Sequence, residues 1–379
     1  MKILVGIQGT GNGHLSRCAA LAEALGKYPQ VQVDYLVSGR PKEQLFDMEV
    51  FGNWQWREGL SFVVQNGRVN VRETLSRNNW QQFWRDARGL NIADYDLIVS
   101  DYEPITAWAG RLQGKPVIGL GRQYAFYKET PSLPISALQR QLLRWFAPAK
   151  TVVGMHWLDD VSHVLPPIIH QRGDRHRVIE GNYLVYLPFE GLGAIHGLLN
   201  RFPQVQFHVF HPAAEEQQIG HIRYSAPSRV GFAEAMAQAE GIISNAGFET
   251  ASEALALGKK LLVKPLVGQF EQLANANCLQ QARLAMVMKK LDSEVLGQFL
   301  ASVTAVQCQW PNVADAVARW LANGAKAPVH QLSSDLWSHM EWSHMEWQQE
   351  HLWDDSNEFE SGSPGWIRTN DTWINSPPL

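Results

Sequence analysis

Cysteine is scarce in this chain: Cys18, Cys278 and Cys308 are the only three in 379 residues, and no two form a Cys-x-x-Cys pair. That usage excludes a disulfide framework and fits a reducing cytosol. Basic charge is not in excess either. Lys and Arg number 33 against 37 Asp and Glu, a formal charge of −4, whereas a nucleic-acid protein usually shows a strongly basic face. Uninterrupted apolar runs stay well short of the roughly 18 residues that span a bilayer. The opening run Met1–Ile7 soon meets Gln8 and glycines, so it reads as a first core strand and not as a signal-peptide segment. Metal-ligand spacing is missing too. Asp94-Tyr95-Asp96 precedes an apolar strand-like run instead of following it, and turn and capping chemistry accounts for both aspartates. The composition thus predicts a cytoplasmic protein without metal or resident cofactor.

Hydrophobic residues make up 45% of the chain and charged residues 18%, enough for sizeable cores in about two domains. Strand-like runs near 2–7, 31–37, 96–100, 116–120 and 150–154 alternate with helical patterns near 14–27, 104–113 and 135–147. A second series of runs lies at 183–187, 205–210, 241–244, 260–264 and 285–288. Such alternation argues for an α/β fold of two doubly wound parallel sheets facing across a crevice. The expected boundaries are 1–163, 164–330 and a tail, 331–379, with Val164–Ile168 and the polar 170–177 as the connection. Six of the 15 tryptophans fall in the tail, and Ser-His-Met-Glu-Trp occurs there twice in tandem, at 338–347. That tandem is too short for a solenoid, and the hydrophobic period fades after Gly324. A weakly ordered appendage is therefore expected, with 311–322 as the terminal packing helix.

The most informative stretch is Ser244-Asn245-Ala246-Gly247-Phe248-Glu249-Thr250-Ala251-Ser252-Glu253, directly after the apolar Gly241–Ile243. A strand, a small-residue turn and a helix start make a cradle for a diphosphate. Gly247 permits close backbone approach, and the first helix amides offer an anion site. Thr250 adds a hydroxyl, and Glu253 stands one turn on, within reach of a ribose. A second strand, 261–266, ends in a tip carrying Glu271 and Gln272, a carboxylate and an amide suited to sugar hydroxyls.

The spacing of Asn245, Gly247, Thr250, Glu253, Pro265 and Glu271-Gln272 resembles the donor signature of GT-B glycosyltransferases. It is similar both to the family-28 N-acetylglucosaminyltransferase of lipid II synthesis and to plant and bacterial UDP-glycosyltransferases. The resemblance covers roughly residues 1–320. It implies that the turn with Phe248 and Glu249 holds the diphosphate, Glu253 the ribose, and Glu271-Gln272 the donor sugar. Many relatives carry His where Asn245 stands; Asn donates without charge.

Gly9-Thr10-Gly11-Asn12-Gly13-His14 follows the first strand and opens the first helix. His14 occupies the place of the third glycine of a dinucleotide loop, and no Gly-Lys-Ser/Thr of a P-loop follows. The loop resembles the Gly-rich-His motif of the same enzymes. Histidine suits a base that takes a proton from an acceptor hydroxyl, and a carboxylate would orient it. Asp101, ending the run Leu97–Ser100, stands in a segment resembling the one that carries the partner aspartate. Two roles stay open for it: partner of His14, or cap of the helix near Pro104.

What the resemblance implies is an inverting, metal-independent hexosyltransferase. The second half would hold a UDP-sugar and the first half a hydroxyl acceptor, lipid-linked in some relatives. Arg and large apolar residues interleave over 72–88 and 138–146. They read either as ordinary amphipathic helices or as a peripheral contact with the inner face of a membrane. Two other functions fit the same fold: a UDP-sugar 2-epimerase, which needs more acids and bases than Glu271 around the sugar, and a catalytically silent nucleotide-sugar-binding module.

Overall fold

In the first half, near-continuous apolar runs become strands β1 (Lys2–Gln8), β2 (Gln32–Ser38), β3 (Trp54–Trp56), β4 (Leu97–Asp101), β5 (Val117–Gly121), β6 (Thr151–Met155) and β7 (Val164–Leu165). They form one sheet in the order β3-β2-β1-β4-β5-β6-β7, parallel throughout. Its helices are α1 (Asn12–Leu25), α2 (Trp80–Gly89), α3 (Pro104–Leu112) and α4 (Ala137–Phe146). With both faces covered, Ile3, Leu4 and Val5 are essentially solvent-free. The computed structural model describes residues 1–61, 64–65, 68–69, 73, 76–169, 178–302, 305–344, 366–369 and 372–375.

The second half repeats the plan with β8 (Asn182–Tyr186), β9 (Gln206–Phe210), β10 (Gln217–Ile219), β11 (Ile222–Ser225), β12 (Gly241–Asn245), β13 (Lys260–Lys264) and β14 (Met286–Val287). The order is β10-β11-β9-β8-β12-β13-β14, with only β10 antiparallel to its neighbour among these described strands. Helices α5 (Leu192–Leu199), α6 (Arg229–Gln238), α7 (Phe248–Ala256), α8 (Phe270–Gln281) and α9 (Ser293–Ala301) accompany it. Each sheet reverses its winding once, between β1 and β4 and between β8 and β12. At such a switch point the strand-end loops diverge and leave a crevice. The glycine-histidine loop follows β1, and the small-residue turn follows β12.

Two regions depart from the sequence reading. Val164–Leu165, expected in the connection, forms the edge strand β7 instead, paired with β6 and fully buried. The rest of that connection, 170–177, lies outside the described residues. After α10 (Val313–Ala322), which lies where the terminal packing helix was expected, the chain continues into a further helix, α11 (Val329–Trp337). Leu336 and Trp337 of α11 are buried, and Ser333 Oγ and Trp337 Nε1 both donate to the Val164 carbonyl, at 2.7 and 3.0 Å. Strand β16 (Glu341–His344) then pairs antiparallel with β15 (Val306–Gln309). The appendage expected from 331 therefore begins as packed structure. Its apolar stripe is short and carries Ser333 at a buried position, which hides the helical period from a reading by hydrophobicity alone. Residues 345–365 of the tail lie outside the described residues. Val64–Gln65 with Arg68–Val69, and Trp366–Thr369 with Thr372–Asn375, form separate two-stranded antiparallel sheets. Among the described residues no helix is long and apolar enough to cross a membrane.

Candidate active site

His14 and Asp101 meet. β1 and β4 end level, Ile7 being the register partner of Asp101, and α1 begins at Asn12, so His14 stands in its first turn. His14 Nδ1 lies 2.9 Å from Asp101 Oδ1. Against a carboxylate Nδ1 must carry the proton, which leaves Nε2 with its lone pair. The Gln123 amide, 3.4 Å from Nε2, is placed as a donor to it. Asp101 does not cap α3. Glu103 does that, accepting from the Ile105 and Thr106 amides at 2.8 and 2.7 Å. Between them Tyr102 takes the left-handed φ of 53° that turns the chain after the strand.

Asp101 is almost fully buried and would be costly there unpaired. Arg17 Nη2 and Nε approach its two oxygens at 2.6 and 3.0 Å, and the Cys18 thiol donates to it at 3.0 Å. Burial alone would raise the Asp101 carboxyl; Arg17 and His14 overcome that and hold it well below the usual carboxylate range. Arg17 also pairs with Glu249 of α7, across the crevice. Neither Arg17 nor the Glu249 pairing was anticipated. The only signal was Arg17 standing one turn after His14.

The strand, small-residue turn and helix start expected after Gly241 are present as β12 and α7, and their side chains make the following contacts. Gly247 is the N-cap of α7 at φ −75°, and no side chain caps the turn. A Cβ there would meet nothing within 4 Å, so the helix amides face open space and an anion fits. Thr250 is half-buried beside it. Asn245 lines the crevice, and its amide donates to the Lys264 carbonyl at 3.0 Å. Phe248 packs against Trp157 with ring centroids 4.7 Å apart, so its side chain serves the junction between the halves. Glu249 likewise points to Arg17, and its chain also fills the space over Gly13, where a Cβ would meet it at 3.0 Å. Glu253 accepts from Ser16 Oγ at 3.3 Å. Glu271 accepts from Gln123 at 3.0 Å, and Gln272 Oε1 accepts from the Leu266 amide at 3.1 Å.

Gly9 keeps the loop close, since a Cβ there would press on the Ser38 carbonyl at 3.0 Å, whereas one at Gly11 would make only an ordinary contact with His14 at 3.7 Å. His14, Gly247, Thr250, Glu253, Glu271 and Gln272 all line a single cavity of about 1180 Å³ between the halves. Among the described residues no group of three or more His, Cys, Asp or Glu side chains is arranged to hold a metal ion.

Arg122 was missed as well. It is buried among Phe126, Trp157 and Phe248. Its Nε and Nη2 donate to Asn275 Oδ1 at 3.0 and 2.7 Å, and Asn275 in turn donates to the Ala246 carbonyl at 3.0 Å. A side chain of the first half thus holds the turn between β12 and α7 of the second. Burial draws the Arg122 guanidinium down to about 10. Behind it, His156 accepts from Arg122 at 2.9 Å and contacts Ser132 at 2.5 Å, and Ser132 contacts Asp160 at 2.5 Å. This serine-histidine-aspartate chain is buried away from the cavity and braces Arg122.

Two doubly wound sheets meeting at a nucleotide-type turn define the GT-B fold. The glycotransferase of kitacinnamycin is 13% identical, with 89% of this chain and 98% of that one covered and a TM-score of 0.54. Spinosyn rhamnosyltransferase SpnG is 14% identical, with 89% and 100% covered and a TM-score of 0.55. LpCGTa, solved in complex with UDP, is 14% identical, with 89% and 98% covered and a TM-score of 0.53. None of the curated proteins compared with the chain matches it. The family model for glycosyl transferase family 1 matches residues 1–304, and the chain belongs to that family. It is a glycosyltransferase.

Proposed function

We propose that the protein is an inverting, metal-independent transferase that moves a sugar from a UDP-sugar to a hydroxyl acceptor, with N-acetylglucosamine as a candidate donor sugar. The observation that carries this is His14: Nδ1 faces the anionic Asp101 at 2.9 Å, and the ring lines the same cavity as Gly247, Thr250, Glu253 and Glu271. Residues 1–163 would supply acceptor site and base, and 164–330 the donor site. His14 Nε2 takes the acceptor proton as the acceptor oxygen attacks the anomeric carbon. The bond from that carbon to the diphosphate breaks on the opposite face, and UDP leaves with the electron pair. The α7 amides would stabilise the departing charge. A single displacement inverts the anomeric centre. UDP as the nucleotide is favoured by the UDP complex of LpCGTa.

For the acceptor we favour an envelope glycolipid or polysaccharide precursor at the cytoplasmic membrane face. Leu138, Leu142 and Trp145 stand exposed on α4 beside Arg140 and Arg144, a pairing suited to anionic lipid. Co-sedimentation with anionic vesicles that survives Leu138→Ser/Leu142→Ser would sink that part. The donor assignment is tested by titrating the protein with UDP. Saturable binding weakened by Glu253→Ala supports it; no binding at millimolar UDP, or equal binding by the variant, rejects it.

A further inference from the structure

We propose that Glu249 of the donor-side half sets the strength of the base, acting through Arg17, so that His14 becomes a competent base only when the two halves are together. This rests on His14 being the base and adds a control on it. The charges facing His14 come from three elements. Asp101 at the end of β4 touches Nδ1 at 2.9 Å, Arg17 of α1 brings Nη2 to 3.1 Å from the same nitrogen, and Glu249 of α7 pairs with Arg17. The Cys18 thiol, pushed well above its ordinary range by burial and Asp101, stays neutral. On the Nε2 side stands the neutral Gln123, with Glu271 of α8 behind it.

Asp101 and Arg17 alone cancel. A proton arriving on His14 would then leave a net positive charge in a closed site, which is costly. Glu249 restores one negative charge, so the imidazolium formed as the acceptor loses its proton is balanced. The space for this is provided on both sides. A Cβ on Gly13 would strike Glu249 at 3.0 Å, and one on Gly121 would strike Asp101 at 2.7 Å and Arg17 at 3.0 Å. Glu249 is 8% exposed, and its Oε2 has no hydrogen-bond partner within the protein. That arrangement is costly for stability alone and is explained if the carboxylate serves the charge balance. Because Glu249 belongs to the helix whose start cradles the donor, drawing α7 away from α1 weakens the base. Proton removal is thereby tied to the seated donor half. Arg17 and Glu249 act through His14 and are positioning residues.

Opposite signs make the test specific. In Glu249→Gln the imidazolium loses its balancing charge, so the acidic limb of the kcat/KM profile moves to lower pH, by about one unit for a charge this close, and the plateau falls. In Arg17→Gln the carboxylates are left uncompensated, so the limb moves to higher pH, and Arg17→Lys restores most of the original profile. A purely structural pair would lower activity in both variants with the limb in place, or move it the same way in both; either result overturns the proposal. Independently of turnover, the His14 imidazole is followed by NMR on histidine-labelled protein, its signals assigned by difference with His14→Ala. Titration moving down in Glu249→Gln and up in Arg17→Gln sustains the charge control even if the transfer reading fails. Titration unchanged in both removes it even if transfer is found.

Discussion

Glu103 stands two residues beyond Asp101 and takes the capping duty that would otherwise claim it. Its carboxylate accepts from Ile105 N, Thr106 N, Thr106 Oγ1 and Ser38 Oγ at 2.6–2.8 Å, while burial raises it from the ordinary value. Asp101 is thereby free to face His14 and Arg17. The two acids of one strand end are sorted by which helix they address.

From that sorting follows the expectation for Asp101→Asn. The neutral amide keeps the size but loses the charge that fixes the His14 tautomer. We expect kcat to fall by about 10³-fold or more, as when an orienting carboxylate is neutralised, with UDP affinity within about twofold of the parent. Equal losses in turnover and UDP binding would show that Asp101 serves the fold instead. His14→Ala should behave alike, with transfer lost and UDP retained.

Gly121 has φ +140°, and a Cβ there would collide with the Asp101 and Arg17 side chains. Gly121→Ala should therefore cost about 1–3 kcal/mol of stability and displace the dyad. The measurements are a urea midpoint and single-turnover transfer at saturating donor. An unchanged midpoint with full transfer would mean that the pair relaxes around the methyl without loss.

How much of this was legible in the sequence depends on where the signal lies. Strands such as Leu97–Asp101 and Gly241–Asn245 are short apolar runs ended by small or acidic residues, and a parallel sheet buried on both faces needs such runs. Their place could be read within a residue or two. The pairing of His14 with Asp101 was one of two open roles, decided by Glu103, whose capping is a matter of three-dimensional reach. Arg17 and Arg122 were invisible because their partners, Glu249 and Asn275, are more than 150 residues away and in the other half. Asn245 lines the crevice as the motif implies, and its amide also bonds the Lys264 carbonyl of the neighbouring strand, a contact that the motif spacing does not reveal.

Three histidines, His156 and His163 buried and His208 half-buried, give the fold an acid limit. Burial first, with Arg122 or another cation helping, pulls His156, His163 and His208 down to about 4. Their folded values lie below the unfolded value near 6.5. The unfolded chain therefore takes the proton first, and the stability they provide is complete above about pH 6.5 and lost as pH falls toward 4. For His156, which is fully buried, this is on the order of 3 kcal/mol. We expect the urea midpoint to fall across that window, and to fall less steeply in His156→Gln, which starts lower at pH 7. A midpoint flat from pH 7 to 4 contradicts the assignment.

The tail is the last case. The sequence reads as a weakly ordered appendage from residue 331 onward, but α11 covers the edge of the first sheet. Trp337 and Ser333 both satisfy the Val164 carbonyl, Leu336 is buried, and β16 pairs with β15. Cutting after 330 would expose that edge and leave a buried acceptor without donors, at about 1–3 kcal/mol for the carbonyl and several more for the lost Leu and Trp burial. Cutting after 344 keeps all of these contacts. We therefore expect residues 1–344 to unfold at the same urea concentration as the full chain, and residues 1–330 to unfold earlier or aggregate. Trp337→Phe separates the two contributions, since it keeps most of the apolar burial and removes the indole donor. It should lower stability by about 1 kcal/mol. If residues 1–330 match the full chain in midpoint and in UDP binding, α11 contributes nothing to the fold and the packing argument is wrong.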